Sequence, residues 1–212
     1  MLPSGWARFP LGRQRVEELE AAIEDVISRA LPEDLPWDSA EPYRRMLRKE
    51  LGNSITQAQD ADANAIYLPV AKAAGMIVPA SIVEAEFTSP AGEDPFDPLT
   101  SLLLEVEADQ KVVEVDGRPG IRSVTTLLNL NDPESVSSSQ VMYAIKRDDD
   151  GHWLAMSFTV VWDSAESAKF AEVLVEFFDA VMTTFRWTGP GMKSLASTNL
   201  NTVPGSTNRK GS

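Results

Sequence analysis

Few residues in this chain combine the right type with the right spacing for catalysis. Its one histidine, His152, follows the acidic turn "DDDG" and precedes Trp153. A structural or catalytic zinc needs several nitrogen or sulfur ligands, and the chain has no cysteine and no second histidine. A serine nucleophile of the elbow type needs Gly-x-Ser-x-Gly, and that pattern is absent. His152 therefore reads as a strand residue beside a turn. "DADANA", from Asp60 to Ala65, begins like a calcium loop but fails where it matters. Its sixth position is Ala65 where the turn needs glycine, and its twelfth is Ala71 where a bidentate glutamate is needed. Neither glycine-rich phosphate signature occurs.

Weaker candidates remain. Glu84 and Glu86 form an i, i+2 carboxylate pair, the arrangement that general acid–base work uses. On an alternating strand the two share one side, and solvent-facing acids explain them equally well. Arg118 and Arg122 flank "PGI" and have the charge to grip an anion, with no further motif around them. Arg44, Arg45, Arg48 and Lys49 crowd one helix, either paired with Glu41 and Glu50 or forming a basic contact patch. Trp37 and Phe96 fall in segments read as loops, and Trp187 closes the aromatic cluster "VEFFDAVMTTFRW". These three are the candidate partner-binding residues.

The elements that must hold these groups follow from periodicity. "GWARFPL" reads as a short first strand, and a helix is predicted over 13–31. Its apolar face would be Val16, Leu19, Ile23, Val26, Ile27 and Ala30. A second helix is predicted over 41–59, with Pro42 in its first turn and a stripe of Tyr43, Met46, Leu47, Leu51, Ile55 and Ala58. "ANAIYLPV" reads as a strand. "ASIVEAEFT" alternates, with Val83, Ala85 and Phe87 expected inward. "SPAGEDPFDP" is a loop, and a short helix is expected after Asp97. Two hairpins follow, "KVVEVDG" with "GIRSVTTLLNL" and "QVMYAIKRD" with "HWLAMSFTVVW". A long amphipathic helix over 164–186 then carries Phe170, Val173, Leu174, Phe177, Phe178, Val181, Met182 and Phe185 as one stripe. The expected fold is α+β, an antiparallel sheet of about six strands with helices packed on it. Residues 1–187 read as one domain and 188–212 as a disordered polar tail.

Charge narrows the partners. The chain has 212 residues and a formal net charge of −13. Residues 188–212 hold Lys193, Arg209 and Lys210 and no acid, so the preceding 187 residues carry 16 basic and 32 acidic groups. Such a body is repelled by nucleic-acid phosphate and by anionic membranes, and it attracts a basic protein surface. No apolar run approaches the roughly 18 residues of a membrane span, and the N-terminal stretch lacks an apolar secretory core. A cytoplasmic protein without a cofactor is expected.

The order of parts resembles a known group. A helix-rich start leads into "AIYLPV", the step Gly75-x-x-x-Pro79-Ala80-Ser81 opens the next strand, and two hairpins precede a helix ending "FFDAVMTTFRW". This pattern resembles a group of actinobacterial proteins that are in turn similar to the PsbP-like fold. That fold is shared by a photosystem extrinsic subunit and a nuclear-import factor that binds the small GTPase Ran. The resemblance covers most of residues 6–187. It implies binding and adaptor roles more than catalysis, and it carries no site residues onto this chain. The expected function is a non-enzymatic adaptor or chaperone-like binding protein, with a secretion or effector system as one setting for it. The alternatives are an immunity protein neutralising a basic toxin and an enzyme lacking known motifs.

Overall fold

A computed structural model describes residues 5–12, 14–31, 36–72, 75, 78–88, 109–128, 136–147 and 151–187, with only the backbone at 37 and 38. Phe96, the segment after Asp97 and residues 188–212 lie outside the described residues. The order is β1 (Trp6–Pro10), α1 (Val16–Ala30), α2 (Trp37–Asp60), β2 (Ala65–Pro69) and β3 (Ala80–Thr88). Then come β4 (Asp109–Val115), β5 (Arg118–Leu127), β6 (Ser137–Lys146), β7 (His152–Trp162) and α3 (Ala165–Thr183). The class is α+β. Seven strands form one open antiparallel sheet in the order β1-β2-β3-β7-β6-β5-β4. Each of the seven segments read singly as a strand is present, one more than the overall expectation of about six.

Local chemistry explains the joints. β4 and β5 meet in a two-residue turn where Asp116 (φ 50°) and Gly117 (φ 76°) are both left-handed. That pairing suits the right-handed twist of a hairpin. Asp62 takes the same backbone (φ 53°) as α2 turns into β2, so "DADANA" is a helix end running into a strand. The start of α3 is a capping box: Ser164 Oγ accepts from Ser167 N–H at 3.2 Å, and Ser167 Oγ accepts from Ser164 N–H at 3.0 Å.

Two cores lie on opposite faces of the sheet. On the first face, α3 sets Ala171, Leu174, Phe178 and Met182 onto Val141, Tyr143, Phe158 and Val160. Phe178 stacks on Phe158 at 4.9 Å and meets Tyr143 edge-on at 5.8 Å. On the second, Val26 of α1 and Ile55 and Ala58 of α2 cover Ala7, Phe9 and Ile66. The β1-β2-β3 end therefore has apolar residues on both faces.

That arrangement corrects several expectations. In β3 the most buried residue is Ile82, on the α3 face, while Val83 packs against the second core. Strict alternation of inside and outside fails where both faces are occupied. Pro42 lies inside α2, because the helix begins at Trp37. Trp37 therefore opens a helix and not a loop. The stripe read from the sequence is buried only late in α2: Ile55 and Ala58 join the second core, while Tyr43 and Met46 are 55% and 53% exposed and the first turn buries Ala40 instead. Val16, at the start of α1, is exposed as well. Of the helix-borne bases, Arg45 pairs with Glu41 at 3.3 Å, and Arg48 reaches Glu24 of α1. The second contact ties the two helices to each other.

Candidate functional site

The register of the sheet assembles two polar clusters of the same chemical make-up on the α3 face. Arg8 of β1 stands directly opposite Tyr67 of β2. Its Nε donates to the Tyr67 hydroxyl at 3.2 Å, and its guanidinium lies 5.8 Å from the ring centroid. Tyr67 in turn donates to Glu84 of β3, and Arg8 Nη2 lies 3.6 Å from Glu84 Oε1. Glu86, one pleat further on, pairs with Arg147 at 2.7 Å. Glu84 is thus drawn into the sheet, whereas Glu86 stays exposed, as the alternation suggests, in a surface ion pair.

The second cluster repeats the pairing across the sheet. Arg122 of β5 stands directly opposite Tyr143 of β6. Its acid comes from above: Asp179 of α3 accepts Arg122 Nε at 2.8 Å, Arg122 Nη2 at 2.7 Å and the Tyr143 hydroxyl at 2.6 Å. The two parallel guanidinium bonds give the fork geometry that favours arginine over lysine. Arg122, one of the two candidate anion-gripping residues, is already committed to this carboxylate.

Protonation follows from these surroundings. Burial, helped by donation to the Glu84 carboxylate, pushes the Tyr67 phenol up to about 12, against a smaller opposing pull from Arg8. Burial and donation to Asp179 push Tyr143 well above its ordinary value. Burial alone would raise Asp179, but the bonds from Arg122 and Tyr143 outweigh it and hold the carboxyl below its ordinary value. A general acid or base works best with a pKa near the ambient pH. Tyr67, Tyr143 and Asp179 are all moved away from neutrality, and each is saturated with internal partners. Such clusters clamp elements together.

Trp187 belongs to the same scaffold. Beyond α3 the chain folds onto the β4–β5 turn: Trp187 N–H donates to Asp116 Oδ2 at 3.0 Å, and Arg186 Nε lies 3.6 Å from Asp116 Oδ1. The half-buried Trp187 ring meets Phe185 edge-on at 5.2 Å, with the Arg118 guanidinium 5.0 Å above it. Its buried indole N–H has no hydrogen-bond partner among the described residues. His152 opens β7, exposed, with its Nδ1 3.3 Å from Thr88 Oγ1. The structure therefore gathers Trp187 and Arg118 at one hairpin and leaves His152 at the far end of β7.

One surface differs from expectation. The stripe of α3 is wider than its core contact. At about 100° per residue, its apolar side chains span an arc of roughly 200°, from Val175 through Phe178 round to Val173. A core-facing helix needs only about 100°. The excess lies on one flank: Phe170 and Val181 are half-buried, Phe177 is 39% exposed and Val173 58% exposed. On the helical wheel exposed Glu166 lies within this flank and Glu176 and Lys169 lie just beyond Val173, whereas Glu172 falls on the Asp179 side. Asp179 points to β5 and β6, and Phe170 lies about 180° round the axis from it, so this flank turns toward the β3 side of the sheet. Periodicity identified these residues as one stripe, but only the packed sheet shows where contact stops.

Among the described residues, no group of acids and histidines is placed to hold a metal ion, and no helix is long and apolar enough to cross a membrane. No protein-family model matches this chain, and no curated protein matches it.

Proposed function

We propose that this chain is a protein-binding module, of adaptor or chaperone-like character, that recognises a basic surface and performs no covalent chemistry on it. The observation that carries this reading is the charge imbalance of 16 basic against 32 acidic groups over residues 1–187. A field of that sign steers cationic partners inward and repels phosphate-rich ones. Two features support it. The internal Arg–Tyr–carboxylate clusters have their polar groups engaged with one another, with Tyr67 pushed up to about 12 and Asp179 held below its ordinary value. The resemblance of the element order to the PsbP-like fold points toward binding as well. An immunity protein set against a basic toxin is the same reading with a dedicated partner.

The test is affinity capture with the full chain from native extract, followed by titration of the purified partner. The expected partner is basic and saturable, with an affinity falling at least tenfold between about 50 and 500 mM salt, as screened charge requires. A partner that is acidic, or an affinity indifferent to salt, would sink the proposal.

A further inference from the structure

The flank of α3 that the sheet does not cover has the composition of a docking strip. Val173 and Phe177 stand one turn apart and exposed, with Phe170 and Val181 continuing the strip inward to the core. Single exposed apolar residues are ordinary, whereas contiguous ones rimmed by polar groups mark contact sites. Here the strip is continuous along three turns, and an aromatic residue of the kind that anchors interfaces stands at its centre. Of the exposed charges on the helix beside the strip, Glu166 lies within it and Glu176 and Lys169 lie just beyond Val173. None of these three takes part in an ion pair among the described residues.

From these residues we infer that the outer flank of α3 docks a basic amphipathic helix of a partner protein. This deepens the protein-binding reading above and rests on it. The partner helix lays two or three apolar residues, spaced i, i+3 or i+4, along Val173, Phe177 and Val181, as helix-in-groove recognition requires. Its lysines and arginines meet Glu166 and Glu176 and the acidic body around them. A second copy of this chain fits poorly, because it would bring one acidic body against another. An anionic membrane is repelled for the same reason.

The test uses the full chain and a fluorescent amphipathic Leu–Lys peptide of about 18 residues, long enough to hold a helix. A Ser–Lys peptide of equal charge serves as the comparator, and fluorescence anisotropy reads binding. The Leu–Lys peptide is expected to saturate, with the Ser–Lys peptide at least tenfold weaker. Phe177→Ser should weaken Leu–Lys binding about tenfold, and Phe177→Leu should restore most of it. Val112→Ser, a change at an exposed valine on β4, should leave it unchanged. Far-ultraviolet circular dichroism confirms that each variant is folded. Equal binding of the two peptides, or an indifferent Phe177→Ser, would overturn the site. So would self-association in sedimentation that Phe177→Ser abolishes, which assigns the strip to a second copy. If Phe177→Ser leaves the captured basic partner's affinity intact, the site falls and the protein-binding reading stands. If no basic partner is captured, that reading falls too.

Discussion

Arg8–Tyr67–Glu84 and Arg122–Tyr143–Asp179 are the same three functional groups placed at two points of one sheet. Both start from a cross-strand arginine–tyrosine pair in direct register. They differ in where the acid comes from. Glu84 stands on the neighbouring strand β3, so the first cluster lies within the sheet, and the Arg8 side chain stays 35% exposed. Asp179 descends from α3, and the Arg122 side chain beneath it is 7% exposed. An ion pair that keeps water beside it contributes little, whereas breaking a covered one strands a buried charge. The first cluster trims a sheet edge; the second fastens a helix.

The sharpest way to break this comparison is to remove each acid. Asp179→Ala leaves a buried guanidinium and the Tyr143 hydroxyl without their acceptor. It should lower unfolding stability by about 3 kcal/mol, read as a fall in the urea midpoint. Glu84→Ala should cost about 1 kcal/mol, because Arg8 can turn to water. Equal losses in the two variants would refute the distinction between covered and open clusters.

A second large effect tests the sheet on which the Asp179 cluster stands. A Cβ built on Gly120 would lie 2.6 Å from the Ala144 carbonyl oxygen, and Gly120 precedes Arg122 by two residues on β5. Gly120→Ala must push β5 away from β6, next to the Arg122–Tyr143 pair. A loss of about 2 kcal/mol is expected, with Tyr143 becoming easier to ionise in an alkaline titration. A stability unchanged from wild type would mean that the two strands separate without strain.

The strands that hold the two clusters are legible in the sequence, but the clusters themselves are not. Period-two alternation marks the strands, and the Asp116-Gly117 pair marks a hairpin turn, because those signals are local. The pairing of Arg122 with Tyr143 depends on register across 21 positions of chain and on which helix face meets them. No local pattern carries that information. Glu84 shows the same gap: alternation says that it shares a side with Glu86, but not that Tyr67 and Arg8 wait there. Helical spacing likewise names Val173 and Phe177 as members of a stripe, and Tyr43 and Met46 as members of another. Depth of burial depends on where the opposing surface ends, which is a property of the assembled sheet. The signal available for the α3 flank was the excess width of its apolar arc.

A smaller effect separates the clusters at low pH. Asp179 is held below its ordinary value of 3.8. Its unfolded form therefore binds a proton first, so folding gains stability from this group above that ordinary value. The gain disappears as pH falls below it and through the depressed folded value. Wild-type stability should decline more steeply between about pH 5 and pH 2 than that of Asp179→Asn, measured by urea midpoints at each pH. Parallel declines would show that Asp179 draws no stability from its charge.

The smallest effect lies at high pH and concerns the open cluster. Tyr67 is raised from an ordinary 10.0 to about 12, so the folded state holds its proton after the unfolded state has lost it. The contribution to stability is then complete below about pH 10 and fades as pH rises through about 12. Phenolate absorbance of the folded chain should show a step near pH 12 that Tyr67→Phe removes. Near neutral pH the same variant should lose only about 1 kcal/mol, the value of one hydroxyl hydrogen bond. A step that Tyr67→Phe leaves in place would show that burial and the Glu84 contact do not hold the Tyr67 proton, and the open cluster would then be no more than an exposed surface pairing.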